Sequence, residues 1–283
     1  IDLVTKTDLS AELTLMLEQH AAKTHLRDLN VIESPAQQLR AAYDLMPTDT
    51  AEDWSIISRR MSALPAAIDG YIETLREGMR QQIVPARRQV VEVITQIARY
   101  SDKGGFFAVF AAEAAPAEGE LPATLARELH DNANAARVAY DTLAEFLRSE
   151  LAPVASEQDG VGREQYALAS RRFLGATIDL DETYEWGIQE LARMVAEQEA
   201  IANEIKPGAS VEEAVAFLEQ DPSRKLQGTK ALQKWMQETS DRAVAELGAT
   251  HFDIPAEIRT LECMIAPTQE GGIYYTGPSD DFS

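Results

Sequence analysis

Up to about residue 248, apolar residues recur every three or four positions, the period of a helix with one face turned away from water. Leu9, Leu13, Met16 and Leu17 share such a face, with Thr7 or Asp8 as the cap. Ser34-Pro35 offers an N-cap followed by a proline at the first helical position, and Gln37 is placed to close a capping box. The short helix through Leu39, Tyr43 and Met46 is expected to end before Pro47. Thr50 and Asp53 open a helix through Trp54, Ile57 and Met61 that should kink or stop before Pro65, because proline lacks an N–H and crowds the preceding turn. Ile68, Tyr71, Ile72, Leu75 and Met79 then form a clear stripe. Pro85 begins a further helix, in which Val90, Val93, Ile94 and Ile97 align.

The pattern breaks at SDKGG (101–105), and AAEAAPAEGELP (111–122) reads as a linker. From Pro122 a long helix carries Leu125, Leu129, Ala133, Ala136, Tyr140, Leu143 and Leu147 on one side, with small alanines that would admit a close neighbour; Pro153 ends it. The clearest helix begins at Asp179, with Glu182 completing the cap. Tyr184, Ile188, Leu191, Val195, Ala202 and Ile205 are expected to form a buried seam ending at Pro207-Gly208. Ser210 and Glu213 make another capping box before Val211, Ala214, Val215 and Leu218. A last helix holds Leu232, Trp235, Met236, Ala243 and Leu247, with Gly248 at the C′ position.

After Gly248 short apolar runs are punctuated by Pro and Gly, and Ile273–Thr276 reads as a β-strand from its β-branched and aromatic content. The predicted fold class is therefore mainly α: a bundle-like array of long helices with a short irregular, β-containing C-terminal segment. The expected organisation is a helical domain over 1–248. Residues 249–283 form a partly extended segment that looks like the start of a module continuing beyond the chain.

Charge narrows the partners. Twenty-six Lys and Arg stand against 47 Asp and Glu, a net −21, which repels nucleic-acid phosphates and anionic lipid headgroups alike. Neither nucleic acid nor a membrane is expected as a partner. The single cysteine, Cys263, cannot close an internal disulfide, and the opening IDLVTKTDLS lacks a leader's charged-then-apolar pattern. A cytoplasmic protein is expected, although a leader already removed would leave the same picture.

Candidate chemistry is sparse. His20 and His25 are five apart and would not point the same way from one helix, and no H-E-x-x-H occurs. His130 sits in a long helix and reads as a surface or partly buried imidazole. Glu197 and Glu199 have no histidine at the right offset and read as a solvated face. The apolar neighbours Met264 and Ile265 suggest that Cys263 is a buried thiol. Arg76, Arg80, Arg87 and Arg88 are outweighed by nearby acids. Tyr71, Tyr140, Tyr184 and Trp235 read as core. No catalytic or metal-binding residue is therefore assigned. GGIYYTGP (271–278) stands apart: paired glycines, two adjacent tyrosines and Gly-Pro would hold a short strand whose edge can receive an extended peptide, or simply close a sheet with packed aromatics.

Three stretches carry a wider resemblance: DLMPTDTAEDWSIISRRMSALPAAIDGYIETLREGM (44–79), GREQYALASRRFLGATIDLDETYEWGIQEL (162–191) and IRTLECMIAPTQEGGIYYTGPSDDFS (258–283). In this order they resemble the bacterial family known as domain of unknown function 885. The family looks like the gluzincin-type zinc metallopeptidases, with a mostly helical fold and a catalytic H-E-x-x-H helix that follows the segment resembling GGIYYTGPSDDFS. The resemblance implies that these residues are the N-terminal half of a hydrolase, with zinc and its ligands beyond Ser283 and a peptide as substrate. This chain alone would hold no cofactor and be inactive, and its partner would be the missing C-terminal half. It also implies that Tyr274 and Tyr275 match a tyrosine pair on the strand that aligns substrate. The alternatives are a non-catalytic helical scaffold or interaction protein and a helical module for a small ligand.

Overall fold

The structure is a computed structural model, and it describes residues 2–117, 119–266, 275 and 277. Among these residues the regular structure is helical, apart from one isolated parallel bridge between Ala86 and Ser156. The helices are α1 (Asp2–Ala21), α2 (Pro35–Ala41), α3 (Ala51–Arg80), α4 (Arg87–Ser101), α5 (Phe106–Ala112) and α6 (Ala123–Phe146), then α7 (Arg163–Leu174), α8 (Leu180–Ile205), α9 (Val211–Glu219) and α10 (Gly228–Thr250). The expected helical class is what the chain adopts. It divides into two compact units, residues 1–178 and 179–283.

The first unit is built around α3 and α6, which make its most extensive helix pair. Ile57, Met61, Ile68 and Leu75 of α3 meet Leu129, Ala136, Tyr140 and Leu143 of α6, all fully buried or nearly so. The alanines let the helices close, as their spacing predicted. A polar stitch runs through the same interface: Asn132 Nδ2 donates to the Ser58 carbonyl at 3.1 Å and to its hydroxyl at 2.9 Å, and Ser58 Oγ donates to Glu128 at 3.1 Å. Those bonds satisfy a serine that has no access to water. Val90, Val93 and Ile97 of α4 complete the core.

Capping chemistry sets several boundaries. Gln37 Oε1 accepts from the Ser34 backbone N–H at 3.0 Å and from its hydroxyl at 2.6 Å, and α2 starts at Pro35 as expected. Thr50 and Asp53 cap α3 reciprocally, at 3.2 Å and 2.8 Å. Pro65 does not stop α3, however. The helix runs thirty residues, because Met61, Leu64 and Ile68 bury on either side of the proline, and that burial outweighs the roughly 3 kcal/mol cost of a proline in a helix interior.

Two tyrosines act as core residues with a polar handle. Tyr71 donates to the Asp28 carbonyl at 2.6 Å and Tyr140 to the Ala36 carbonyl at 3.1 Å, tying the segment before and within α2 to the central helices. α5 is held by rings. Tyr43, Trp54, Phe106, Phe107 and Phe110 lie at centroid separations of 5.1–6.3 Å, and the buried guanidinium of Arg40 sits 4.2 Å above Phe106 while pairing with Asp44 at 2.6 Å. Gly78, near the end of α3, lies directly against the turn at Leu26. A Cβ there would collide with the Leu26 carbonyl and stand 2.6 Å from that of Ile83.

α1 departs from expectation. It begins at Asp2, before the expected cap, and Leu9, Leu13, Met16 and Leu17 are exposed, whereas Leu15 is buried. Its firm attachment is to α7, through Arg171 and Glu18 at 2.6 Å.

In the second unit α8 packs on α9. Asp179 caps α8, accepting from Asp181 and Glu182 N–H at 2.9 and 3.0 Å, and Ser210 with Glu213 caps α9. The expected buried seam of α8 is not buried. Of its members only Ala202 is out of water, Ile205 is partly covered, and Tyr184, Ile188, Leu191 and Val195 are exposed. Helical period alone reveals that a face is apolar; it cannot reveal whether anything lies on it. Gly248 does not terminate α10, which continues to Thr250. Between His251 and Ala266 the chain is irregular, as expected, apart from a single turn at Ala256–Ile258.

Candidate functional site

A groove of about 630 Å³ lies between α3 and the C-terminal part of α6, lined by Ile72 and Phe146 among others. Asp69, Glu73, Asp141, Glu145 and Glu150 give it an acidic rim, and Arg76 spans it. The guanidinium donates to Glu150 through Nε and Nη2 at 3.1 and 2.7 Å and to Glu73 through Nη1 at 2.7 Å, while lying 5.2 Å over the Phe146 ring. The hydrogen bond from Arg76 holds the Glu150 carboxyl below its usual range, and the same pairing raises the arginine. A general acid at neutral pH needs the opposite displacement. Glu145 is meanwhile engaged by Arg148 at 2.8 Å. Three of the five rim carboxylates, Glu73, Glu145 and Glu150, are therefore held in ion pairs, and the groove stays acidic.

The arginines singled out by sequence are all paired with acids: Arg80 with Glu77, Arg87 with Glu157 and Arg88 with Asp159. Glu197 pairs with Arg193 at 2.7 Å on an exposed face. His130 is exposed. Tyr71 and Tyr140 are core, whereas Tyr184 and Trp235 are exposed.

Two arrangements had no clear signal in the sequence. His20 and His25 stack, with ring centroids 5.3 Å apart and planes 10° from parallel. The five-residue spacing fails as a guide because α1 ends at Ala21. Lys23 takes a left-handed backbone (φ 55°), and the tight turn Thr24–Arg27 folds His25 back over His20. Among the described residues no group of three or more His, Cys, Asp or Glu stands close enough to hold a metal ion.

The second arrangement lies in the 179–283 unit. Gln237 on α10 accepts from the Cys263 N–H at 2.9 Å and donates to the Leu261 carbonyl at 2.9 Å, while Gln233, one turn away, donates to the Cys263 carbonyl at 3.0 Å. Two side-chain amides thus replace the strand partner that an extended segment would otherwise need. Cys263 is a free, half-buried thiol rather than a fully buried one, and Met264 beside it is exposed.

Tyr274 and the predicted strand around it lie outside the described residues. Tyr275 is 70% exposed.

These observations define a helical protein with one bundle packed around α3 and α6 and a second unit whose longest helix carries an exposed apolar face. The chain belongs to the bacterial family described as "Bacterial protein of unknown function (DUF885)", whose profile matches residues 2–283. No curated protein matches it in sequence. Among solved structures it is similar to a Colwellia psychrerythraea protein assigned as a lipoprotein, with 16% identity and a TM-score of 0.63 over 81% of this chain. That likeness establishes the fold. The match spans 42% of the Colwellia chain, less than half its length. Among the described residues no helix is long and apolar enough to cross a membrane.

Proposed function

We propose that residues 1–283 form the N-terminal helical part of a longer zinc-dependent metallopeptidase-like protein, contributing one wall of the cleft. Tyr274 and Tyr275 would lie on an edge strand that aligns an extended peptide substrate. The observation that carries this reading is the exposed apolar stripe of α8, a surface suited to covering by further protein. The partial coverage of the Colwellia chain supports it from a second direction. The described residues offer no cluster that fits zinc. In this reading the resemblance places metal and general base in the remainder, and no chemical step is derived through them. This chain alone is expected to be inactive towards peptides. A cytoplasmic location is proposed with this reading; the single cysteine is compatible with it, and cell fractionation checks it.

The competing reading is a non-catalytic helical scaffold. It draws on the groove, whose Glu73, Glu145 and Glu150 are already engaged by arginines.

The test is the intact mass of the protein from its natural source, with zinc measured on the same sample. A mass well above 31.2 kDa with about one zinc per chain, and peptide hydrolysis abolished by a chelator, is the expected result. A metal-free protein of 31.2 kDa would leave the scaffold standing.

A further inference from the structure

α8, like α1, leaves a run of apolar residues in water. Tyr184, Ile188, Leu191 and Val195 follow one another at spacings of four, three and four, so they share one side of the helix along its first four turns. Tyr184 is 67% exposed and Leu191 54%. α9 covers the far end, where Ala202 is buried, and leaves this stripe open. A contiguous apolar patch on a water-facing helix marks an interaction surface far more often than an isolated exposed leucine does.

Charge says what kind of surface would fit. Of the acids on α8, Asp181, Glu185 and Glu199 lie within about a quarter-turn of the stripe, on one side of it, whereas Glu182, Glu190, Glu197 and Glu204 share the opposite face with the one base, Arg193. That base is already occupied, by Glu190 at 2.6 Å and Glu197 at 2.7 Å. A neutral or acidic partner laid along the stripe would bring uncompensated carboxylates towards a drying interface. A partner with Lys or Arg beside its own apolar stripe would pair with them.

We propose that the α8 stripe is the docking site for an amphipathic helix of the same longer polypeptide, lying outside residues 1–283 and flanked by basic residues. The proposal rests on the reading above that this chain is part of a longer protein. Its supports are the acidic flank of the stripe at Asp181, Glu185 and Glu199 and the length of the Colwellia chain beyond the match. Docking by helix in groove or helix on helix would use the i, i+3 and i+4 positions named here as anchors.

Hydrogen exchange read by mass spectrometry tests it on two samples: the protein from its natural source, or its full-length recombinant equivalent, and the 283-residue chain. Amides of 180–195 should exchange at least about tenfold more slowly in the longer protein. Leu191→Glu should abolish that protection and leave the melting of the 283-residue chain unchanged, since Leu191 is exposed there. Glu185→Lys with Glu199→Lys should weaken the protection, and raised salt should weaken it in the unmutated protein. Equal exchange in both samples overturns the proposal, as does protection that survives Leu191→Glu. Protection of the 283-residue chain that grows with its concentration would identify a second copy as the occupant and also overturn it. So would a natural protein with no residues beyond these 283. The two readings fail separately: a longer protein without zinc but with α8 protected rejects the peptidase assignment alone. Zinc-dependent hydrolysis with α8 unprotected rejects the docking site alone.

Discussion

Helices α3 and α8 are near twins on paper and opposites in the folded chain. Each is long, capped by a side chain accepting backbone N–H groups at its start, and striped with apolar residues at spacings of three and four. α3 buries ten of its thirty residues, whereas α8 buries one of twenty-six. The difference is not in the stripe but in the company. α3 has α6, with alanines that let it close in, together with polar residues such as Asn132 that satisfy whatever the interface dries. Amphipathicity is therefore a statement of need, and only a partner converts it into stability.

That contrast can be broken or sharpened by substitution. The largest expected effect is at the centre of the α3–α6 pair: Leu143→Ala should cost about 2–5 kcal/mol in urea unfolding of the first unit, since Leu143 has no exposed surface. Leu191→Ala on α8 in the same chain should cost less than about 0.5 kcal/mol, and a larger loss would mean that the stripe is covered after all. Next comes Arg40→Ala, which removes a buried guanidinium that pairs with Asp44 and lies over Phe106, and should cost about 3 kcal/mol. Arg40→Lys should recover only part, because an ammonium keeps the charge but not the flat guanidinium over Phe106. The capping pair comes third. Thr50→Ala and Ser210→Ala should each cost about 1 kcal/mol. The first should appear as global destabilisation of a packed unit, and the second as faster hydrogen exchange confined to α9.

Smallest of all is the groove ion pair. Glu150 is held below its ordinary value of 4.5 by Arg76, so its contribution is complete above the unfolded value and fades as pH falls through the lower, folded one. Glu150→Gln should lower the melting temperature slightly at pH 7. The gap between mutant and wild type should close on acidification below about pH 4.5 and in high salt. A gap independent of pH would assign the effect to packing.

Sequence reading located most helices of the first unit well, because period, caps and punctuation agreed there. Ser34, Thr50 and the 101–105 break fall at or beside the ends of elements. A stop at Pro65, one of the two outcomes expected there, does not occur, because tertiary burial outweighs a local breaker, and at Gly248 the helix simply continues. Sequence reading misjudged α1 and α8, because burial is decided by neighbours that periodicity cannot name. The site was less legible. The His20–His25 stack depends on a left-handed residue at Lys23, and the Gln233–Gln237 clasp depends on a segment folding back along α10. Neither leaves a pattern in residue type. The tyrosine strand lies outside the described residues, so its reading rests on the resemblance and on the exposure of Tyr275.

Gly78 places an unusual constraint on how this protein can vary. Backbone meets backbone there, with the Leu26 carbonyl where any Cβ would have to go. Every single-base change of a glycine codon is either silent, truncating or adds a Cβ. Position 78 therefore has no mild alleles: in a population its variants should be synonymous or damaging, with none of the gradation that a leucine in the same core would show.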